Sequence, residues 1–510
     1  MTVVLTALII PLGFILQSCT DLAEDTFGVV TPEQFYNTDA EILAGLAPIY
    51  SQLRSMMDDW HNLSQITSDE TVVPTRGSDW FDGGRWLAIH RHTWDAGLTD
   101  LNGAWNASFT GIARANGLLQ ILEESGSTDD QLKAEIRFLR AWYYYTLMDF
   151  FGNIPIVGDD EFIVDQDNPP ANEARATVFD FVESEVEFAR DNLPASWPSS
   201  GYGRVTKGAA SALLANMYLN AEIFRGTLTA GGITKGSTMW QEAITAADAV
   251  INSGQYSLSS SYFDNFSPTN ENSPELIFVV ATLPVGGLGM NFQMRSLHYN
   301  QWTPSPWNGF STIASVYAKW DANDLRRQIF LAGPQVNLET GEPAFDRSDN
   351  PLVFVETFGN IEDATESEGI RPLKFPPDPA RAGGDNGNDY PFFRLAEILL
   401  IKAEAMNELG GPSGTVVDLL NQLRERAFEF ADFVPLSAGD FTQSSLRDFI
   451  FDERVRELAF EAKRRQDLIR AGKFTEPWEF KTNFEPYRVF FPIPQVQLDS
   501  NPNLIQNPGY

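Results

Sequence analysis

Apolar residues recur at spacings of three and four along much of this chain, the mark of helices with a core-facing stripe. Over residues 444–474, Leu446, Phe449, Ile450, Val455, Leu458, Ala459 and Ala462 keep that spacing. They predict one helix, capped at its start by Ser444 or Ser445 and closed by Gly472, a residue suited to the left-handed turn after a helix. Charges are threaded through the same stretch: Glu453, Arg454, Arg456, Glu457, Glu461, Arg464, Arg465, Asp467 and Arg470. Asp452 with Arg456, and Glu461 with Arg465, stand four apart and are expected to pair along one face. Apolar residues on more than one side predict a helix inside an array, with its charges paired to neighbouring helices. A solvated amphipathic helix is the alternative.

The same periodicity predicts helices over 33–57, with Leu43, Leu46, Ile49, Tyr50 and Leu53, and over 104–124. Thr128-Asp-Asp-Gln131 has capping-box spacing, and Leu132, Ile136, Leu139, Tyr143, Leu147 and Phe150 follow as one stripe until Gly152 and Pro155. Phe138, Trp142 and Tyr145 give that helix a second apolar face, so burial on two sides is expected. Further helices are predicted over 172–192, from Thr206 through a run of small residues, around 240–251, and over 392–409 and 415–427. Paired helices with interleaved alanine and aromatic residues resemble divergent tetratricopeptide units. Two segments break the pattern. Residues 58–103 gather Trp60, Trp80, Phe81, Trp86 and Trp94 among Gly and Asp, and 253–390 hold short strand-like runs at 276–281 and 352–357 among Pro, Gly and Asn. Loops of such length in a compact protein are usually functional.

Composition narrows the class. The 510 residues are 43% hydrophobic and 12% aromatic, enough for a large core and against wholesale disorder. A formal charge of −33 repels phosphate backbones and anionic head groups, so no nucleic-acid partner is expected. The one cysteine, Cys19, follows an apolar run over 3–16 that is broken by Pro11 and Gly13. That run is too short to span a bilayer and has the length of a signal-peptide core. Leu16-Gln17-Ser18-Cys19 then resembles the lipoprotein cleavage box, in which the cysteine becomes the lipidated N-terminus. A stray buried thiol is the alternative, and no Lys or Arg precedes the apolar run. Asp21, Glu24 and Asp25 resemble the tether signal of Bacteroidetes surface lipoproteins. The expected organisation is a signal peptide over 1–18, a tether over 19–32 and a single body over 33–510. Within that body, 33–252 form a helical-repeat portion and 253–510 a loop-rich portion with C-terminal helices.

Six segments together carry a family resemblance: FLRAWYYYTLMDFFGNIPIV (138–157), GRVTKGAASALLANMYL (203–219), PFFRLAEILLIKAEAMNEL (391–409), LLNQLRERA (419–427), FDERVRELAFEAKRRQDLIRAGKF (451–474) and FFPIPQVQLDSNPNLIQNPGY (490–510). In this order they resemble the SusD/RagB outer-membrane lipoproteins, most weakly across 58–103 and 283–390. The resemblance implies a mostly α, SusD-like fold in which tetratricopeptide-like pairs pack against an irregular half with few short strands. It implies binding without catalysis, by a lipid-anchored lid at the cell surface. That lid captures an oligosaccharide and delivers it to a SusC-like TonB-dependent transporter, the expected protein partner.

A saccharide site needs aromatic platforms for the flat C–H faces of sugar rings and a few polar groups for their hydroxyls. In the first excursion Trp86 and Trp80 are candidate platforms, with Asp69, Arg85 and Asp58 as hydroxyl ligands. In the second, Tyr299, Trp302, Trp307 and Asn308 offer the same mixture, and Arg371 and Tyr390 flank a Gly/Asn/Asp loop. Each such Trp can instead be a packing residue; Trp105 and Trp142, within helical stripes, are expected in the core. Abundant Trp suits a glucan such as laminarin or starch. A glycoside hydrolase would need two carboxylates across a cleft. Asp58/Asp59, Asp69/Glu70 and Asp159/Asp160/Glu161 are available, although adjacent residues tend to point apart. A RagB-like peptide importer is a further alternative. His90-Arg91-His92 lacks a third metal ligand at suggestive spacing, and no nucleotide-binding or zinc-protease motif occurs. No cofactor is expected beyond calcium at Asp385-Asn-Gly-Asn-Asp389, where a plain turn is the competing reading.

Overall fold

The computed structural model describes residues 38–158 and 167–510. The signal peptide, Cys19, the tether and Asp159/Asp160/Glu161 lie outside the described residues. Helix α1 (Asp39–Gln65) opens on a capping box, Thr38 Oγ1 accepting from Glu41 N while the Glu41 carboxylate accepts from Thr38 N. It runs on past the predicted end at 57 because Met57, Trp60 and Leu63 continue the buried stripe. The short α2 (Arg85–Arg91) precedes α3 (Thr99–Glu124), α4 (Asp130–Phe151), α5 (Arg175–Asn192), α6 (Lys207–Leu219) and α7 (Trp240–Ile251). Then follow α8 (Leu395–Gly410), α9 (Gly414–Glu425), α10 (Gln443–Leu458) and α11 (Arg464–Arg470). Helix α1 packs on α3, and from α3 to α8 each of these helices packs on the next; α8 also takes α9 and α10, so the helix pairs form a running array.

Helix α4 is enclosed on two sides, as its two apolar faces predict: Phe138, Trp142 and Tyr145 are buried alongside the first stripe, and Trp105 is buried on α3. Asp129, one residue inside the predicted box, caps it by accepting from Leu132 N at 2.9 Å. The α3–α4 contact is close because Gly111 carries no side chain: a Cβ there would lie 2.4 Å from the Tyr143 ring. Gly111→Ala is therefore expected to cost about 1–3 kcal/mol by overpacking, read as a lower urea midpoint.

The strands are short. Antiparallel β1 (Thr227–Thr229) and β2 (Gly232–Thr234) make a hairpin, and β3 (Leu276–Val280) pairs antiparallel with β8 (Tyr390–Arg394). β4 (Phe330–Leu331) pairs with β7 (Arg371–Pro372), and β5 (Gly333–Pro334) with β6 (Val353–Phe354). The predicted strand over 276–281 is present, whereas 352–357 contains only the two residues of β6. Residues 392–394, predicted as helix, are strand: Phe392 lies against Trp60, Trp142 and Phe278, a placement that the extended backbone of β8 supplies.

The 444–474 stretch departs furthest from its prediction. It is two helices, capped by Thr442 rather than Ser444 or Ser445, and broken where Phe460 and Ala462 take left-handed φ of +62° and +59°. The break satisfies its amides across the fold, Phe460 N donating to Glu70 and Ala462 N to Gln65. Its charges reach other elements, as expected, but not in the i,i+4 pairs. Asp452 pairs with Lys319, Arg456 with Glu453, Glu461 with Lys374 and Arg394, and Arg465 with Asp149. Gly472, φ +72°, follows α11 as predicted. Around Glu457 the ions form one buried network: Arg394 binds Glu275, Glu457 and Glu461, Arg426 binds Glu275 and Glu457, and Arg326 binds Asp324, Glu453 and Glu457. It ties the irregular half to the helices. Burial alone would raise Glu457, yet the guanidiniums of Arg426, Arg394 and Arg326 outweigh it and hold the carboxyl well below its usual range. No helix among the described residues is long and apolar enough to cross a membrane.

Candidate functional site

The two aperiodic segments meet. Val72 and Ser311 exchange backbone hydrogen bonds at 2.8 and 2.9 Å, and behind them two buried arginines hold the second segment in place. Arg76 Nε donates to Asn308 O at 2.9 Å, and Arg371 Nε and Nη2 donate to Asn308 Oδ1 at 3.1 and 3.0 Å. Asn308 accepts this positive-φ position (+52°), as a short amide side chain can, and so turns the neighbouring Trp307 outward.

Trp80 also has a positive φ (+63°), and its indole N–H donates to the Trp307 carbonyl at 2.5 Å. Its ring lies edge-on to Trp86 at 5.2 Å and to Phe310 at 5.8 Å. Gly309 permits this: a Cβ there would stand 2.2 Å from Trp80 Cε2. Phe81 (57% exposed), Trp307 (40% exposed), half-buried Trp80 and half-buried Tyr299 make an aromatic rim. Polar groups are set between them. Tyr299 Oη donates to Asp79 Oδ2 at 2.6 Å, and the Arg347 guanidinium sits 4.1 Å over the Tyr299 ring while pairing with Asp79 and Glu366. Burial, aided by Asp79, raises the Tyr299 hydroxyl, so it stays a neutral donor.

Of the candidate residues, Trp80, Trp307 and Tyr299 come together on this rim. Trp86 lies behind it, buried, its N–H on Asp82 Oδ2 at 2.6 Å and the Arg85 guanidinium 4.2 Å over its ring. Arg85 itself is paired with Asp100 at 2.9 Å. Asp58 is exposed but paired with Arg295. Five further candidates are buried as Trp86 is. Trp302 is covered by Arg381, 4.0 Å over its ring. Asn308 and Arg371 brace each other from beneath. Tyr390 is packed among Trp60, Phe292, Phe375 and Phe392. Both oxygens of Asp69 are taken by Arg464 at 2.7 Å. Phe81, Asp79, Arg347 and Glu366 were missed. Phe81 adjoins Trp80 in the first aromatic cluster and was legible there; Arg347 and Glu366 join only through the tertiary fold.

Two further carboxylates available to a hydrolase lie among the described residues, Glu70 and Asp59. Beside Asp69, Glu70 accepts from Gln65 Nε2 and Phe460 N, and burial pushes its carboxyl up to about 7. Asp59 is pushed up to about 7 by burial and then by Asp100. His90 and His92 are buried against the carbonyls of Thr71, Glu479 and Thr67, a structural role. At 385–389 the acidic ends face different partners: Asp385 accepts from Gly287 N, and Asp389 from Thr282 N and Tyr202 Oη. The turn itself falls just before, at Gly383 and Gly384, and Asp385 and Asn386 sit in β-bridges to Ala382 and Met290. Among the described residues no group of three or more His, Cys, Asp or Glu is placed to hold a metal ion.

Comparison with known proteins identifies the class to which this fold belongs. A family model described as the SusD family matches residues 246–510, and one described as starch-binding associating with outer membrane matches 36–219. The chain belongs to the SusD family. It is 25% identical to a SusD-like protein of Formosa agariphila, over 97% of each chain. It is 27% identical to the starch-binding protein SusD of Bacteroides thetaiotaomicron, over 76% of this chain and 75% of that one. A solved laminarin-binding SusD-like protein shares its fold with a TM-score of 0.75 at 23% identity, covering 93% of this chain and all of the other. A surface glycan-binding protein of Bacteroides thetaiotaomicron in complex with laminarihexaose matches with a TM-score of 0.72 at 21% identity, over 92% and 100%.

Proposed function

We propose that this protein is a cell-surface glycan-binding lipoprotein, anchored to the outer membrane through Cys19. It captures oligosaccharides and delivers them as a lid to a SusC-like TonB-dependent transporter. The observation that carries the reading is the rim of Trp80, Phe81, Tyr299 and Trp307, with polar groups set between its rings, on a chain of the SusD family. The starch-binding and laminarin-binding names among its relatives support a glucan as ligand. Binding without cleavage is supported by Asp58 and Asp69, whose carboxylates are held in ion pairs.

Energetics set the expected strength. A Trp face burying part of its ~150–250 Å² at ~25 cal/mol per Å² contributes a few kcal/mol. Association costs of about 4–15 kcal/mol then leave a few such contacts at roughly micromolar to millimolar affinity, suited to capture and release. Isothermal titration with a panel of α- and β-glucans tests this. Binding in that range is expected, weakened about tenfold by Trp307→Ala (~1.4 kcal/mol), with no reducing sugar released over hours. Silence toward every glycan while peptides bind would replace this reading with a peptide importer, and release of sugar would make the protein a hydrolase.

A further inference from the structure

Building on the glycan-binding reading, we propose that Glu366 and Asp79 make this face selective for uncharged glycans by occupying the guanidinium of Arg347. Arg347 is the cation most open to solvent at the rim, its side chain 50% exposed, yet it is held from several sides. Its Nε pairs with Glu366 Oε1, its Nη1 lies 3.2 Å from Asp79 Oδ2, and its backbone N–H donates to Glu366 Oε2 at 3.0 Å. Its flat face is spent on Tyr299. Glu366 is itself fixed, accepting from His298 Nε2 at 2.9 Å with only 18% of its side chain exposed.

Elsewhere on the face the balance is the same. Arg85 is paired with Asp100. Neither 58–103 nor 295–308 contains a lysine, and Asp82 lies exposed beside Phe81. Recognition of a uronate or sulfate asks for a guanidinium free to bind it with two parallel hydrogen bonds. Here each forked edge of Arg347 has one N–H already facing a protein carboxylate, Nε towards Glu366 and Nη1 towards Asp79. An anionic sugar would also sit near those carboxylates, inside a screening length of about 8 Å at physiological salt. A neutral hexose meets no such opposition: its hydroxyls donate to carboxylate oxygens and its C–H faces stack on the rings. Selectivity against charge thus arises from how a cation is neutralised, not from its absence.

The test titrates the full chain and Glu366→Gln with a neutral panel (laminarin, starch, mannan) and an anionic one (alginate, polygalacturonate, a sulfated galactan). The wild type is expected to bind its best neutral glycan at least tenfold tighter than any anionic one, with affinity unchanged between low and high salt. In Glu366→Gln, which keeps an acceptor for His298, the anionic-to-neutral affinity ratio is expected to rise about fivefold, and that gain to vanish at high salt. Adding Arg347→Gln to the variant is expected to abolish the gain. Asp79→Asn gives an independent reading of the same ratio should Glu366→Gln fail to fold. A wild type that prefers anionic glycans, or a ratio unmoved in the folded variants, overturns the selectivity while leaving glycan binding intact. A wild type that binds neither panel overturns the underlying reading as well.

Discussion

Arg394→Met is expected to destabilise the protein by about 3–5 kcal/mol, seen as a large drop in urea midpoint at pH 7. Arg394 is wholly buried, and it donates 2.6–2.8 Å hydrogen bonds to the carboxylates of Glu275, Glu457 and Glu461 and to the Glu457 carbonyl. Methionine fills similar space without the charge, so those three carboxylates lose a shared partner in a low-dielectric interior. Arg426, Arg326 and Lys374 cannot move in to replace it, each being committed to its own hydrogen bonds. The pH dependence gives a second check. In the wild type, burial works to raise Glu453, Glu457 and Glu461, but their cations hold all three below the ordinary range. A depressed folded pKa contributes stability that is present above the unfolded value, about 4.3, and lost as pH falls below about 5. In Arg394→Met one carboxylate can take up a proton to relieve the excess charge, so the defect should shrink as the pH is lowered from 7 to 5. A defect of the same size at both pH values would mean that packing, rather than charge, was lost.

The second large effect is on ligand binding. Trp80→Ala removes a ring of the rim and also the edge-on packing that orders Trp86 and Phe310 behind it. A loss of glycan affinity of about thirtyfold or more is expected, the ~2 kcal/mol of an interface hot spot, read by titration alongside the thermal midpoint. Gly309→Ala probes the same ring without deleting it. Its Cβ would stand 2.2 Å from Trp80 Cε2, so the indole must tilt away from the Trp307 carbonyl that holds it. Both variants are expected to lose affinity while keeping the helical array, since Trp80 lies outside the main core. Undiminished glycan binding by both would move the site away from this face.

Much of the scaffold was legible because helix stripes are local. Spacings of three and four residues, a cap such as Thr206 and a stop such as Gly152 act within a few turns of one another, and α4, α6 and α7 stand close to where those signals put them. The aromatic wealth of 58–103 and 295–308 likewise marked the segments that meet. Which aromatics face outward was not legible. Trp80 and Trp86 are six residues apart in similar surroundings, and what separates them is a left-handed backbone at Trp80 and a carbonyl supplied by Trp307. The same holds for the charges of 444–474. Their burial followed from the apolar residues around them, but partners of Glu457 lie on β8 and in the irregular half.

By itself, then, the sequence determined the helical array, the two loop-rich excursions and the family, since each rests on residues near one another in the chain or on a joint pattern along it. The tertiary structure alone decided the break after Leu458, the membership of the rim and the capture of Arg347 by Asp79 and Glu366. Hydrogen bonds and ion pairs act over about 3 Å, and the groups that make them here stand tens to hundreds of residues apart until the chain has folded.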